Sequence, residues 1–257
     1  MKVLAGLLAL IALAVPTHTV QAATSTTNLE HDLLGLINNA RAEHGLKSLR
    51  VGNRIWTIAG YRAGRMASTN VLSHTVAGSI SSQLKAKAVP WYGYGEDIGY
   101  TRAQRGQTAI KELFRMWKAS PSHWKLILSP SYNYVGVGLA YRASSRKTFG
   151  SLIFTESRDL TAAGSAIDGA SAGGDAATWS WHGWDPVLQT HTSGLKSFDV
   201  QTRVGSGPWR TVGRNTTATS RTWSGLSQGH TYGLRVRARD RAGNIGRWTA
   251  EQRVRVP

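Results

Sequence analysis

The chain has 257 residues, with 31 Lys and Arg against 14 Asp and Glu, a formal net charge of +17, and no cysteine. That length accommodates two modest domains, each burying its own core. The lack of cysteine excludes disulfides and thiolate metal sites, and the charge points to anionic partners such as phosphate-bearing wall polymers, acidic glycans or lipid head groups.

The N-terminus carries Lys2, an apolar run from Val3 to Val15, a Pro16 break and the small-residue pattern Val20-Gln21-Ala22. One positive charge, an apolar core too short for a stable span and a V-x-A pattern predict a signal peptide over residues 1–22, with an uncleaved anchor as the competing reading. No later run is long and apolar enough for a membrane helix, so the expected product is secreted: extracellular, or held at the cell envelope by a partner. An exported chain without disulfides reads as a bacterial protein that relies on ordinary packing.

Thr27-Asn28-Leu29-Glu30 matches a capping box, and Leu29, Leu33, Ile37 and Ala40 recur at helical spacing up to His44-Gly45. Asn53 is placed to cap a second helix with Ile55, Ile58, Ala59, Met66 and the stem of Arg62 on its buried stripe. His74 follows that helix in a loop. Glu96 is expected in a glycine-flanked turn, between Gly95 and Asp97. Thr108 can begin a third helix that buries Ile110, Leu113, Phe114 and Trp117. His123 is then expected in a solvent-open turn, ahead of an alternating strand through Val135, Val137, Leu139 and Tyr141 and its partner strand Thr148 to Glu156. Helices followed by a late antiparallel hairpin make residues 27–160 an α+β layered domain.

The order LLGLINNARAEHGLKSLR, MASTNVLSHT, GEDIGY and WKASPSHWKLILSPSYNYVGVGLAY resembles the CAP superfamily of bacterial SCP-like, venom-allergen and pathogenesis-related proteins, over roughly Leu29 to Glu156. The resemblance implies an α-β-α sandwich (the CAP fold) with a central cleft in which His74, Glu96 and His123 converge. It usually puts Asn where Asp97 stands and Gly where Ser122 stands. The second glutamate of animal and plant members is Ser120 here, which implies a bacterial-type triad.

Two imidazoles and a carboxylate can hold Zn²⁺ or Mg²⁺ and leave a position for water, or can form a hydrogen-bonded cluster that organises the cleft loops. Family members are reported with cations in this cleft and are associated with sterols and other lipids, for which Trp91, Tyr92, Tyr94 and Tyr100 could line an apolar slot. His74, Glu96 and His123 are also the candidate catalytic residues of a metal-assisted peptidase or esterase. Ser73, Ser120 and Ser122 neighbour the histidines, but no G-x-S-x-G elbow is present.

Residues 161–176, TAAGSAIDGASAGGDA, read as a flexible linker whose ends would lie on the order of 20 Å apart, leaving the flanking parts to move independently. Beyond it, strands over Thr178–Trp181, Lys196–Val204, Ser220–Trp223, Thr231–Asp240 and Trp248–Val256 predict an all-β immunoglobulin-like sandwich over residues 177–257. WSWHGWDP, LKSFDVQTRVGSGPW and GHTYGLRVRARDRAGNIGRW resemble bacterial fibronectin type III domains, which makes Trp181 a core residue and Tyr232 the corner tyrosine. Alternation in LRVRARD lines Arg235, Arg237 and Arg239 along one sheet face as a candidate ligand-binding ladder. Its candidate ligands are anionic wall polymer, glycan or lipid, with cation-π stacking on nearby tryptophans as the competing reading. An extracellular protein partner fits as well, whereas specific nucleic-acid recognition does not suit an exported chain. The leading reading is a secreted bacterial protein that binds rather than catalyses. A metal-assisted extracellular hydrolase targeted by the β domain and a surface adhesin are the alternatives.

Overall fold

Leu29, Leu33 and Ile37 fall one helical turn apart and form the buried face of α1 (Thr26–Glu43). The computed structural model describes residues 26–257, so the predicted signal segment lies outside the described residues. Glu30 does not close a capping box. Its carboxylate instead accepts from Trp56 Nε1 (2.8 Å) and the Leu139 amide (3.0 Å), tying α1 to the elements beside it. α2 (Asn53–Thr69) is capped by Gly52 rather than Asn53 and ends on Asn70 in the left-handed region. A short α3 (Ile80–Ala86), not anticipated from periodicity, starts on the Ser79 side chain. α4 (Gln107–Ala119) buries Ile110, Leu113 and Trp117, and α5 (Pro121–Ile127) opens on a proline suited to a first helical turn.

Strands β1 (Arg50–Val51), β2 (Gly93–Thr101), β3 (Tyr134–Arg142) and β4 (Lys147–Glu156) form one sheet in the order β1-β3-β4-β2, leaving β2 at an edge. Strand alternation divides their side chains between two helical layers. Val135, Val137, Leu139, Leu152 and Phe154 join Leu33, Ile37, Leu113 and Trp117 in the main core under α1, α4 and α5. On the other face Gly136 and Gly138 meet α2, where a Cβ would overlap the backbone of Ile55 and Ala59. Only glycine allows that approach. The result is the expected α-β-α sandwich.

The second part is an all-β sandwich. β5 (Gly164–Gly173), β6 (Ala176–Trp184) and β9 (Ser220–Trp223) form one sheet in the order β5-β6-β9. β7 (Leu195–Val204), β8 (Arg210–Thr216), β10 (Thr231–Asp240) and β11 (Gln252–Arg255) form the other in the order β11-β10-β7-β8. Trp179, Trp181, Phe198, Val200, Leu234, Val236 and Ala238 fill the space between them. Tyr232 accepts from the Ser227 amide at 3.0 Å.

The expected linker is instead strand β5. Its partners include Ile167 opposite Trp181 and Ala170 opposite Trp179. Ala163, Ile167, Ala170 and Ala172 pack into the second core. The small side chains that suggested flexibility suit a strand lying beside two buried tryptophans, and a β-bulge after Ile167 shifts the register.

The expected independent motion is also unsupported, because the connection is pinned from both sides. Asn133, fully buried, accepts from the Ser157 amide (2.9 Å) and donates to Ser157 O (2.6 Å) and Thr190 O (3.0 Å). Asp159 accepts from the Thr161 amide and from both the amide and hydroxyl of Ser193. Leu188, from the β6–β7 connection, packs into the first domain's cluster with Ile55 and Ile58. Replacing Asn133 with Ala should strip these bonds and accelerate tryptic cleavage after exposed Arg158 roughly tenfold. Unchanged cleavage would show that the junction does not depend on Asn133.

Candidate functional site

The site forms where helices from both layers reach around the edge strand β2. Even-numbered residues of β2 face α2, and this alternation turns Glu96 toward Arg62. Glu96 lies in the strand, not in the glycine-flanked turn its neighbours suggested. Its carboxylate is 2% exposed and makes a bidentate pair with Arg62, Nε to Oε1 at 2.5 Å and Nη2 to Oε2 at 3.0 Å. Ser151 Oγ donates to Oε1 (3.2 Å), and His74 Nδ1 bonds Oε2 (2.7 Å). These four contacts use the full acceptor capacity of a carboxylate.

Arg62 buries more than its stem. The residue is 1% exposed, and its remaining donors reach His74 O (2.5 Å), Gly78 O (2.8 Å) and Gln83 Oε1 (3.3 Å). It thereby fixes the loop carrying His74 against the sheet. Its place on the apolar stripe between Ile58 and Met66 was the available signal, because a guanidinium on a buried helix face requires an acidic partner.

His123 comes from the opposite layer. It occupies α5 rather than a turn, and Arg41 anchors the end of that helix. Arg41 is fully buried and donates to Ile127 O (2.8 Å) and Ser129 O (2.9 Å), satisfying carbonyls at the helix terminus. Burial, with a smaller contribution from nearby His74, holds the His123 pKa below the usual histidine range. The imidazole is therefore neutral at pH 7. Its Nδ1 is buried and has no partner in the protein. His74 thus touches Glu96 directly, and His123 lies near enough to His74 to feel its charge, but the three do not bring their ligand atoms within 4.8 Å of one another.

Asp97, the next residue on β2, points into the opposite layer. It is fully buried, neither oxygen has a partner, and burial plus the Glu96 charge push its pKa up to about 8. The serines beside the histidines are used elsewhere. Ser73 Oγ pairs with Thr75 Oγ1 (2.9 Å), and Ser120 Oγ pairs with Ser122 Oγ (3.2 Å). Of the aromatic loop, Trp91 packs edge-on against Tyr94 and Tyr100 packs against Phe149, while Tyr92 is 63% exposed.

The predicted arginine ladder lies on one face of β10, but its charges are engaged internally. Arg235 donates twice to Gln201 Oε1 (2.9 and 2.7 Å) and stacks between Trp209 and Trp248. Arg237 and Arg239 share Asp199, at 2.9 and 3.8 Å. Another group was not foreseen at all: Asp159, Asp185 and Asp240 bring carboxylate oxygens within 4.8 Å of one another at the junction.

Residues 34–155 match the family model for CAP, the cysteine-rich secretory protein family, although this chain has no cysteine. The chain is 28% identical over 122 residues to the uncharacterized protein YkwD of Bacillus subtilis, a match covering 47% of this chain and 46% of that relative. It is similar to an extracellular SCP-domain protein of Bacillus anthracis, with 20% identity and a TM-score of 0.45 over 51% of this chain and 41% of that one. It is also similar to a Fn3-like protein of Clostridium thermocellum, with 25% identity and a TM-score of 0.28 over 38% of this chain and 96% of that one. Among the described residues, no helix is long and apolar enough to cross a membrane.

Proposed function

We propose that this is an extracellular bacterial protein whose CAP cleft binds a divalent cation or a small ligand rather than turning over a substrate. Its β-sandwich is a fibronectin type III module, and the whole attaches to anionic surface polymer. The observation that carries the cleft reading is the saturation of Glu96. With both oxygens committed to Arg62, Ser151 and His74, the carboxylate orients one imidazole and is not free to act as a base or as a ligand. The donors left are the imidazoles of His74 and His123. That set suits Zn²⁺ better than Mg²⁺, which prefers oxygen ligands. Bound there, Zn²⁺ would supply a Lewis acid, while the protein's part is to hold His74 in one tautomer and keep His123 neutral.

The assignment of the β-sandwich draws on its three- and four-stranded sheets, its buried Trp181 and the Tyr232 contact to Ser227. Micromolar Zn²⁺ should raise the Tm of the parent protein by a few degrees and leave His74→Ala and His123→Ala unmoved. Turnover on peptide, ester and wall-fragment panels should be at background for both the parent and His123→Ala. Activity lost in His123→Ala would replace the binding reading with a hydrolase.

A further inference from the structure

Two cavities of about 590 and 490 Å³ lie on the first domain and share Ala88, Val89, Pro90 and Arg158 as walls, so they form one continuous groove. Arg50, Arg54 and Arg158 line the 490 Å³ half, and Lys85 and Arg158 line the 590 Å³ half. None of the residues lining either half is acidic. Arg54 is braced by a hydrogen bond from Nη1 to Ala88 O (2.8 Å). The side chains of Arg50, Arg158 and Lys85 are exposed and make no salt bridge among the described residues. The first turn of the 17-residue α2 also opens here, with Gly52 offering no side-chain cap, so its amides add positive potential to the same wall. At the far end stands half-exposed Trp91, an apolar plane beside the cations.

The contrast with β10 decides where an anionic chain would dock. There the guanidinium groups are held by Gln201 and Asp199 and by tryptophan faces, so an incoming anion would have to displace partners already in place. In the groove Arg50, Lys85 and Arg158 make no salt bridge among the described residues, and Arg54 spends one donor on Ala88 O. Arg158, with Leu160 and Thr161, belongs to the connection pinned by Asn133 and Asp159, so the groove is shaped by the rigid junction that replaced the expected linker. We infer that this groove, rather than the arginine ladder, is the binding site for a phosphodiester-linked anionic polymer, whose successive phosphates meet Arg50, Arg54, Arg158 and Lys85. The inference rests on the proposed attachment to anionic surface polymer and does not involve the histidine cleft.

The test measures binding of long-chain inorganic polyphosphate to the purified protein at physiological salt. The parent is compared with the Arg50→Gln/Lys85→Gln/Arg158→Gln variant and with Arg235→Ser/Arg237→Ser/Arg239→Ser. A charge-matched control removes three exposed cations outside the groove: Arg65→Gln/Lys111→Gln/Arg115→Gln. Circular dichroism melts confirm that each folds. The groove variant should bind at least about tenfold more weakly with a shallower salt dependence, and the other two should stay within about threefold of the parent. Equal loss in the charge control would overturn the inference in favour of diffuse attraction. Loss only in the ladder variant would overturn it while leaving the attachment reading standing. No binding by the parent would sink both. Groove-dependent binding to phosphatidylglycerol vesicles without binding to polyphosphate would overturn the polymer assignment and identify lipid phosphate as the source.

Discussion

Arg62→Ala should lower stability by about 3–5 kcal/mol, the cost of leaving a buried carboxylate without its cation. The pair is 2% exposed on both sides, so solvent screening offers Glu96 little relief. In a chain of this size that is a fall of roughly 10 °C in Tm. The same substitution removes the donors to His74 O and Gly78 O, so the loop bearing His74 should lose amide exchange protection as well. Glu96→Gln should be damaging for the complementary reason, since Arg62 then lacks its counter-charge. The double variant Arg62→Met/Glu96→Met should be more stable than either single charge removal, because apolar replacement of a whole buried pair avoids the unpaired ion. A Tm for Arg62→Ala within 2 °C of the parent would show that the pair does not support the site.

Asp97→Asn should have an effect whose sign depends on pH. The Asp97 carboxyl is held at about 8, first by burial and second by the charge of Glu96. Below the ordinary aspartate range both folded and unfolded chains carry the proton, and titration adds no penalty. As pH rises towards 8 the unfolded chain releases a proton that the folded chain retains, so folding is progressively penalised. Above that the penalty levels off at on the order of 5 kcal/mol. Asparagine has the same shape and no titration, although its unpaired amide costs about 1–3 kcal/mol. The variant should therefore be no more stable than the parent near pH 4 and more stable at pH 8, with the two stability curves crossing between. Parallel curves would refute the account. The resemblance to CAP proteins places asparagine at this position, which is consistent with a carboxyl that burdens this fold.

Much of the first domain was legible because its signals are local. Apolar residues one turn apart in α1, α2 and α4 and alternating residues in β3 and β4 specify which face is buried, whatever they pack against. The short α3 escaped because seven residues with one buried leucine carry too little periodicity. Strand β5 escaped for a different reason. Its alanines and glycines have low strand preference by themselves, and it becomes a strand because Trp179 and Trp181 present a surface that only small side chains can lie against.

The sequence by itself determined the helical and strand faces of the first domain and the absence of disulfides, and it singled out His74, Glu96 and His123 as candidates. It did so because periodicity and motif order are properties of short stretches. Only the tertiary structure decided how those residues are used. The pairing of Arg62 with Glu96 spans 34 residues, so no local pattern encodes it. The same holds for the ladder arginines, whose charges are consumed by Gln201 and Asp199 on a neighbouring strand. It holds too for the groove, whose cations come from β1, α2, α3 and the connection after β4. Which charge is free and which is spent depends on the partner that folding brings alongside it.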